Sequence, residues 1–493
     1  MMGVLVITGA WAKVFGGPGD DFAYSVAIGA TDGNPVIAGY TTSYGNNGEA
    51  LLMRLSLNTG DFMGAITYGE ASYLQEARSI IATPDGGFVI TGKWERFLWL
   101  FRVNYTGGII WSRGIASLAG GAGGYAVART SGYFLSVGYL ADDIFAFLWN
   151  GSSGDAGYYT NQAEDGEQGP LEIKALAAAT APDSGVIVAG WRYQDYYYHN
   201  TNAYVFKTNP GSLTRQWDRD IGDDYHDEEA YSVCVWPNGS SAIAGRRDGD
   251  ILVVNLASNG SVSWVKRYDA GTSEAAYSII TTSDGGYAIA GVRAGDILVA
   301  KLASDGQVVW ARTIGTSGVD VATSLAQAPD GSLIVVGYTN GIGSGGYDIL
   351  AINLPPNGEY QGCLSSVSLN ISGTSLGSMS GYGALGPFAC YLYGGDLTPS
   401  TVGVNPAILN ICQPLYEENE EKGWIPSEPR ITCCSAPGAL IFYSDIETEI
   451  RIYGSDGRVV YRGDIGEGNN RISIEAGVYL WQAGPYKGKA VVR

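Results

Sequence analysis

Residues 276–310 decide the fold: Ala276-Tyr277-Ser278, the turn Asp284-Gly285-Gly286, the run Ala288-Ile289-Ala290-Gly291, the run Asp296-Ile297-Leu298-Val299-Ala300-Lys301, the turn Ser304-Asp305-Gly306, then Trp310. Short apolar runs separated by glycine turns read as four successive strands. No 3.6-residue periodicity competes with that reading.

Moving outward, the same order recurs. A strand ending in glycine is found at Gly39, Gly92, Gly138, Gly190, Gly245, Gly291 and Gly337, with separations of 53, 46, 52, 55, 46 and 46 residues. Before each lies a small-residue pair two apart: Ala23-Tyr24-Ser25, Ala77-Arg78-Ser79, Ala126-Val127-Ala128, Ala175-Leu176-Ala177, Ala230-Tyr231-Ser232, Ala276-Tyr277-Ser278 and Ala322-Thr323-Ser324. A fourth run is led by Trp at Trp111, Trp217, Trp264 and Trp310. Four short strands per unit, repeated seven times, predict an all-β fold, a seven-bladed β-propeller. Small residues at i and i+2 share one face of a strand, which suits the crowded innermost strand. The strand-ending glycine is expected to permit a bulge or a close backbone approach.

The seventh unit lacks its Trp strand: Gly362-Cys363 stands there, and Trp11-Ala12-Lys13-Val14-Phe15 at the other end supplies it. The N-terminal strand is therefore expected to close the ring within residues 1–360, leaving no open edge at the seam. Ala10-Trp11-Ala12 also resembles a signal cleavage site, but it lacks a basic leader, so the strand reading is preferred. A signal peptide is then expected to be missing from this sequence.

Composition supports the fold and trims the function. Charged residues are 16%, Gly is 72 of 493 and Tyr is 33, which suits strands and turns and not a helical bundle. The net charge of −20 argues against a nucleic-acid partner. No apolar run is long enough for a transmembrane segment. With only His199 and His226 present, most zinc sites and most histidine catalysis are excluded.

Residues 361–434 break the period. They are rich in Ser and Gly, carry the run Glu417-Glu418-Asn419-Glu420-Glu421, and hold Cys363, Cys390, Cys412, Cys433 and Cys434. The expectation is a linker or cap stapled by disulfides in an oxidising compartment. The pairing is not readable. Cys234, alone in an apolar run, is expected to be a buried core thiol. Residues 435–493 alternate as a small antiparallel β-sandwich: Ile446–Tyr453, Val459–Arg462, Arg471–Ile474, Gly477–Trp481 and Lys489–Arg493.

Two resemblances follow from these motifs. Over residues 11 to about 360 the Ala-Tyr-Ser, Asp-Gly-Gly, Gly-ended and Asp-led elements resemble the secreted seven-bladed β-propeller repeats of bacterial and archaeal surface proteins, a family without one activity. Residues 435–493 resemble the type A C-terminal sorting domain of type IX secretion substrates of Bacteroidota, through Asp456-Gly457-Arg458-Val459-Val460, Gly477-Val478-Tyr479 and the strand ending at Arg493. The start departs from that family, with Ser435-Ala-Pro437-Gly438 in place of a Pro-Asn-Pro-like turn. The resemblance implies the type IX secretion machinery as a partner and an extracellular or outer-membrane surface location.

Loop length varies mostly on one face, at Thr41–Gly48, Arg192–Asn202 and Thr339–Tyr347, and variable loops on a rigid scaffold are where binding usually resides. On that face Trp191, Tyr193, Tyr196, Tyr197 and Tyr198 offer aromatic rings with polar edges, suited to a glycan or protein ligand. Beside them Asp223, Asp224, Asp227, Glu228 and Glu229 cluster around His226 and could supply oxygen ligands to calcium. No other cofactor and no catalytic residue is indicated. The expected function is a secreted or cell-surface binding or structural scaffold. The alternatives are a carbohydrate-active enzyme using paired carboxylates and a calcium-stabilised adhesin.

Overall fold

The computed structural model describes residues 10–359 apart from 45–47, 71, 118–120, 141–142, 162–172, 194–199 and 224; beyond 359 it describes Arg458 and the strands between Ser365 and Val492. The first and larger of two compact units, Met1–Leu415, holds seven antiparallel sheets built on four strands each. Blades 1 to 6 take four consecutive strands; blade 6, for example, is Glu274–Thr281, Tyr287–Arg293, Asp296–Leu302 and Val308–Ile314. Blade 7 takes Asp320–Gln327, Leu333–Thr339 and Asp348–Leu354, and its fourth strand is Trp11–Gly16 from the other end of the chain. The register runs from Trp11 opposite Asn353 to Phe15 opposite Ile349.

The middle strands are apolar throughout because both faces of each blade are covered. In blade 6, Ala288, Ala290, Ile297 and Val299 pack toward blade 7. Their neighbours Ile289, Leu298, Ala300 and Leu302 pack toward blade 5. The core is thus a ring of seams.

Two kinds of fastening hold the seams. The first fastening explains the Ala-x-Ser signature. Every innermost strand carries a β-bulge that leaves one residue unpaired: Tyr24, Arg78, Tyr125, Leu176, Tyr231, Tyr277 and Thr323. The residue after the bulge is Ser in five blades, and its hydroxyl accepts a backbone N–H from the next blade. Ser25 accepts from Ile80, Ser79 from Val127, Ser232 from Ile279, Ser278 from Leu325 and Ser324 from Val26. Blades 3 and 4 have Ala126 and Ala177 there. In blade 3 the repeat therefore falls on Gly124-Tyr125-Ala126, two residues earlier than the expected Ala126-Val127-Ala128. The second alanine pair hid the register.

The bulge also explains the seven glycines. Each sits opposite the residue before the bulge, where the preceding carbonyl turns toward it. A Cβ on any of the seven would lie 1.7–2.0 Å from that oxygen.

The second fastening is the Trp strand. The indoles of Trp11, Trp111, Trp217, Trp264 and Trp310 lie on turn glycines of the next blade: Gly60, Gly154, Gly260, Gly306 and Gly358. Trp11, Trp217 and Trp310 also donate their indole N–H to carbonyls in those turns, Leu57, Ser258 and Pro356.

Part of the segment expected as a linker or cap instead extends the blades. Its described strands add a fifth, outer strand to six of them, in reverse order around the ring. Ser365–Ser366 joins blade 6, Asn370–Gly373 blade 5, Gly377–Met379 blade 4, Leu392–Asp396 blade 2, Ser400–Val404 blade 1 and Ala407–Asn410 blade 7. Sheet twist explains the geometry. At about 20–25° per strand, an outer strand lies far from the direction of the innermost one, toward the circumference of the ring. An extended chain following these edges passes from blade to blade. Cys363, Cys390 and Cys412 lie outside the described residues, as do the side chains of Cys433 and Cys434. Cys234 is a buried free thiol whose pKa burial pushes up to about 12.

The second unit, Tyr416–Arg493, contains a three-stranded sheet (Ile431–Ala436, Ala439–Ser444, Gly468–Ser473) and a four-stranded sheet ordered Val459–Ile465, Thr448–Tyr453, Gly477–Ala483, Tyr486–Val492. Ile450, Ile452 and Ile472 are buried, while Val459 and Val460 are exposed. Among the described residues no helix is long and apolar enough to cross a membrane.

Candidate functional site at the channel mouth

The bulges place one residue per blade on the innermost strands around the central axis, and two neighbouring pairs are in contact. The Arg78 guanidinium lies 4.9 Å over the Tyr125 ring, and the Tyr231 and Tyr277 rings are 5.3 Å apart. Just outside them, on the variable-loop face, stands a ring of cross-strand pairs. These are Phe22 with Tyr40, Glu76 with Lys93, Gly123 with Tyr139, Lys174 with Trp191, Glu229 with Arg246, Ala275 with Val292 and Val321 with Tyr338. Each pair joins the residue before the pre-bulge position to the residue after the strand-two glycine.

Two kinds of surface result. In blades 1 and 7, Phe22, Tyr24, Tyr40, Tyr338 and Tyr347 form an aromatic patch with centroid separations of 5.0–6.2 Å. From blade 1 to blade 4, Tyr24, Glu76, Arg78, Tyr125 and Leu176 line an open cavity of about 350 Å³. Glu76 is bound by Arg78 at 2.6 Å. Burial opposes the charge of Arg78, but Glu76 outweighs it and raises the guanidinium pKa. Burial, and then Glu76, raises the Tyr24 phenol; burial and a hydrogen bond to Glu229 raise that of Tyr231. Both phenols are therefore neutral at physiological pH, with O–H groups that can donate. Aromatic faces beside a guanidinium and phenolic hydroxyls suit recognition of a polar ring or side chain.

The expected aromatic site is partly on this ring. Trp191 belongs to it, with the Lys174 ammonium 4.7 Å over its indole. Tyr193 lies two residues further from the axis, opposite Thr201. Tyr196, Tyr197 and Tyr198 lie outside the described residues. In six blades the bulge residue is the middle letter of the recurring small-residue pair; in blade 3 it is Tyr125, just ahead of Ala126. A strand-ending glycine opposite a small-residue pair was the available signal for a bulge that turns that letter inward.

The acidic cluster separates into different environments. Asp223 accepts from the Tyr225 N–H, His226 Nδ1 and Arg247. Burial works against its charge, but these donors hold its carboxyl below the usual range. Glu228 is fully buried, and burial pushes it up to about 8 even with Arg247 Nε 3.3 Å away. Asp227 turns aside to accept from Thr201. Glu229 points to the channel mouth, where Arg246 and Tyr231 hold it. Asp224 lies outside the described residues. Asp223, His226 and Glu228 converge closely enough for one ion. Arg247 already provides a positive charge between the two carboxylates.

The comparisons with known proteins concern the fold alone. No protein family matches the chain, and no curated protein does. Solved propellers are similar. The Dos1 propeller is 10% identical, covering 70% of this chain and 94% of its own, with a TM-score of 0.41. The WD40 domain of coronin from Toxoplasma gondii is 10% identical over 71% of this chain and 87% of its own, at 0.43. A protein from Lactobacillus plantarum is 12% identical over 75% of this chain and 99% of its own, at 0.46.

Proposed function

We propose that this protein is a secreted or surface-displayed propeller that binds a glycan at the channel mouth. The observation that supports this is the bulge ring: seven blades turn one side chain each toward the axis, and four of the seven are tyrosines. Glu76 and Glu229, the carboxylates that the ring pairs place there, are each held by an arginine. That suits recognition and leaves neither free for proton transfer, so binding without chemistry is favoured over a glycosidase reading. Export is assigned to the second unit, through the type IX secretion route that its terminal motifs resemble. Asp456, Gly457 and Arg493 lie outside the described residues. Gly477 and Tyr479 stand on the Gly477–Ala483 strand that pairs with Tyr486–Val492, and Arg458 precedes the exposed Val459-Val460 pair.

A glycan screen with the intact chain tests the binding reading. Bound sugars should be lost on Tyr125→Ala and on Arg78→Ala, with the fold kept by circular dichroism. Sugar binding that survives both changes, or capture of proteins and no sugars, would overturn it. Deleting residues 416–493 tests export: with a signal peptide added at the N-terminus, the propeller should then stay in the periplasm of a host with type IX secretion, while the full chain should leave it.

A further inference from the structure

The blade seams share a polar plan on the variable-loop face. Where a fourth strand ends, a polar residue at the start of the third strand in one blade meets the first residue of the innermost strand in the next. Glu49 meets Gln75 beside Gly69, Asn202 meets Glu228 beside Gly222, and Asp348 meets Asp21 beside Gly16. At the seam of blades 5 and 6, Asp250, Asp269 and Glu274 converge.

The counter-charge differs from seam to seam. Glu228 lies opposite Arg247 and Glu274 opposite Arg293, and Arg267 binds Asp250. At the ring-closing seam both arginine positions are threonines: Asp21 lies opposite Thr41, and Asp348 opposite Thr339. Both aspartates are 1% exposed. Asp21 is supplied with donors by the Gly17 N–H, Thr41 and Ser43. Asp348 Oδ2 accepts from the Ser344 N–H at 2.7 Å. Asp348 Oδ1 is buried and has no hydrogen-bond partner. It points into the space left by the missing side chain of Gly16, 1.6 Å from where a Cβ would stand; Asp21 Oδ2 is 3.0 Å from the same point. Burial pushes the Asp348 carboxyl up to about 6, the Ser344 N–H works against that, and the nearby Asp21 and Asp20 carboxyls add to it, with no basic group among the causes.

We propose that the seam closing the ring is a calcium site, with Asp348 Oδ1 and Asp21 Oδ2 as its carboxylate ligands. Two carboxylates that share a buried space with no arginine call for a cation from solution. The donors are all oxygen, with no imidazole or thiolate, which favours a hard divalent ion over zinc. Calcium tolerates irregular coordination, whereas magnesium demands a near-octahedral set. The ion would tie Trp11–Gly16, the strand that completes blade 7, to both blades it joins. Calcium would thus govern closure of the ring, independently of what binds at the channel mouth.

The test uses the intact chain after dialysis against chelator, titrated with calcium chloride by calorimetry and melted with and without the ion. The wild type should bind calcium at this seam, and its melting temperature should rise with calcium concentration. Asp348→Asn should weaken the calorimetric Kd by at least about 10-fold, the low end for losing even an outer partner of a metal ligand. In chelator it should melt no lower than wild type, because an uncompensated buried charge has gone. Thr41→Arg, which copies the arginine of the neighbouring seams, should raise the melting temperature in chelator and abolish the response to calcium. An unchanged calcium response in both variants would overturn the proposal. So would a wild type whose melting depends on pH and not on calcium, since the Asp348 proton would then take the place of the ion.

Discussion

Replacing Gly291 with alanine tests the bulge that organises every blade. The new Cβ would stand 1.9 Å from the Ala275 carbonyl oxygen, and real Cβ contacts essentially never fall below 3.0 Å. Buried backbone must therefore move by roughly 1 Å in a close-packed seam. The ladder pairs on either side, Ala276 with Gly291 and Ser278 with Ala290, bracket the bulge and would be pulled apart. Leaving two buried backbone groups unsatisfied, at about 1–3 kcal/mol each, puts the loss at about 2–6 kcal/mol. Gly285→Ala is the control. Gly285 has φ +92 and nothing within 4 Å of its Cβ position, so it carries only the conformational cost, about 1–2 kcal/mol. Urea unfolding followed by tryptophan fluorescence and far-ultraviolet circular dichroism compares them, since Trp264 and Trp310 flank this blade. A Gly291→Ala midpoint no lower than that of Gly285→Ala would refute the steric account of all seven glycines.

Other expectations follow from the seams. Ser278→Ala should cost about 0.5–1.5 kcal/mol in urea unfolding by removing the acceptor of the Leu325 N–H, and Ala177→Ser should gain up to that much by adding a staple to blade 4. Trp310→Phe should cost about 1 kcal/mol through the Pro356 hydrogen bond, and Trp310→Ala about 3–5 kcal/mol through packing. Glu228 binds its proton more tightly in the folded protein, where its pKa is about 8, than unfolded near 4.5. Stability should therefore fall by about 1–3 kcal/mol as pH rises from 4.5 to 8, and Glu228→Gln should flatten that slope in melting curves.

The ring was legible because its constraints are local. A bulge needs a glycine opposite it, a seam needs a small acceptor, and a turn beneath an indole needs a residue tolerant of positive φ, so each leaves a letter at a fixed spacing. Gly60, Gly154, Gly260, Gly306 and Gly358 all combine positive φ with contact to a tryptophan. The outer strands between Ser365 and Asn410 were not legible. They are two to five residues long, and each is specified by the edge it joins and not by an alternation of its own. The seam polar groups were half legible: the Asp that leads the third strand recurs as a letter of the repeat, but its meeting with the next blade depends on how the blades pack around the ring. The acidic cluster divides because neighbours in sequence alternate across a strand. Glu228 is thereby buried in a seam, while Glu229 is sent to the channel mouth.

The departures from the repeat gather on the arc where binding is proposed. Seams from blade 5 round to blade 3 keep the serine acceptor, whereas Ala126 and Ala177 omit it where blade 3 meets 4 and blade 4 meets 5. Those same blades place Tyr125, Leu176 and Trp191 at the channel mouth, and Tyr125 and Leu176 line its cavity. In a ring of nearest-neighbour interfaces, two weaker seams are tolerable when five strong ones and the outer strands hold the circle. Blades 3 and 4 are thus where the scaffold leaves room for variation, and a ligand that bridges Arg78, Tyr125 and Leu176 would span the first of the two unstapled seams. Binding there should tighten the ring at its weakest arc, so a true ligand of the mouth should raise the melting temperature more in the present protein than in Ala126→Ser, where the seam is already fastened.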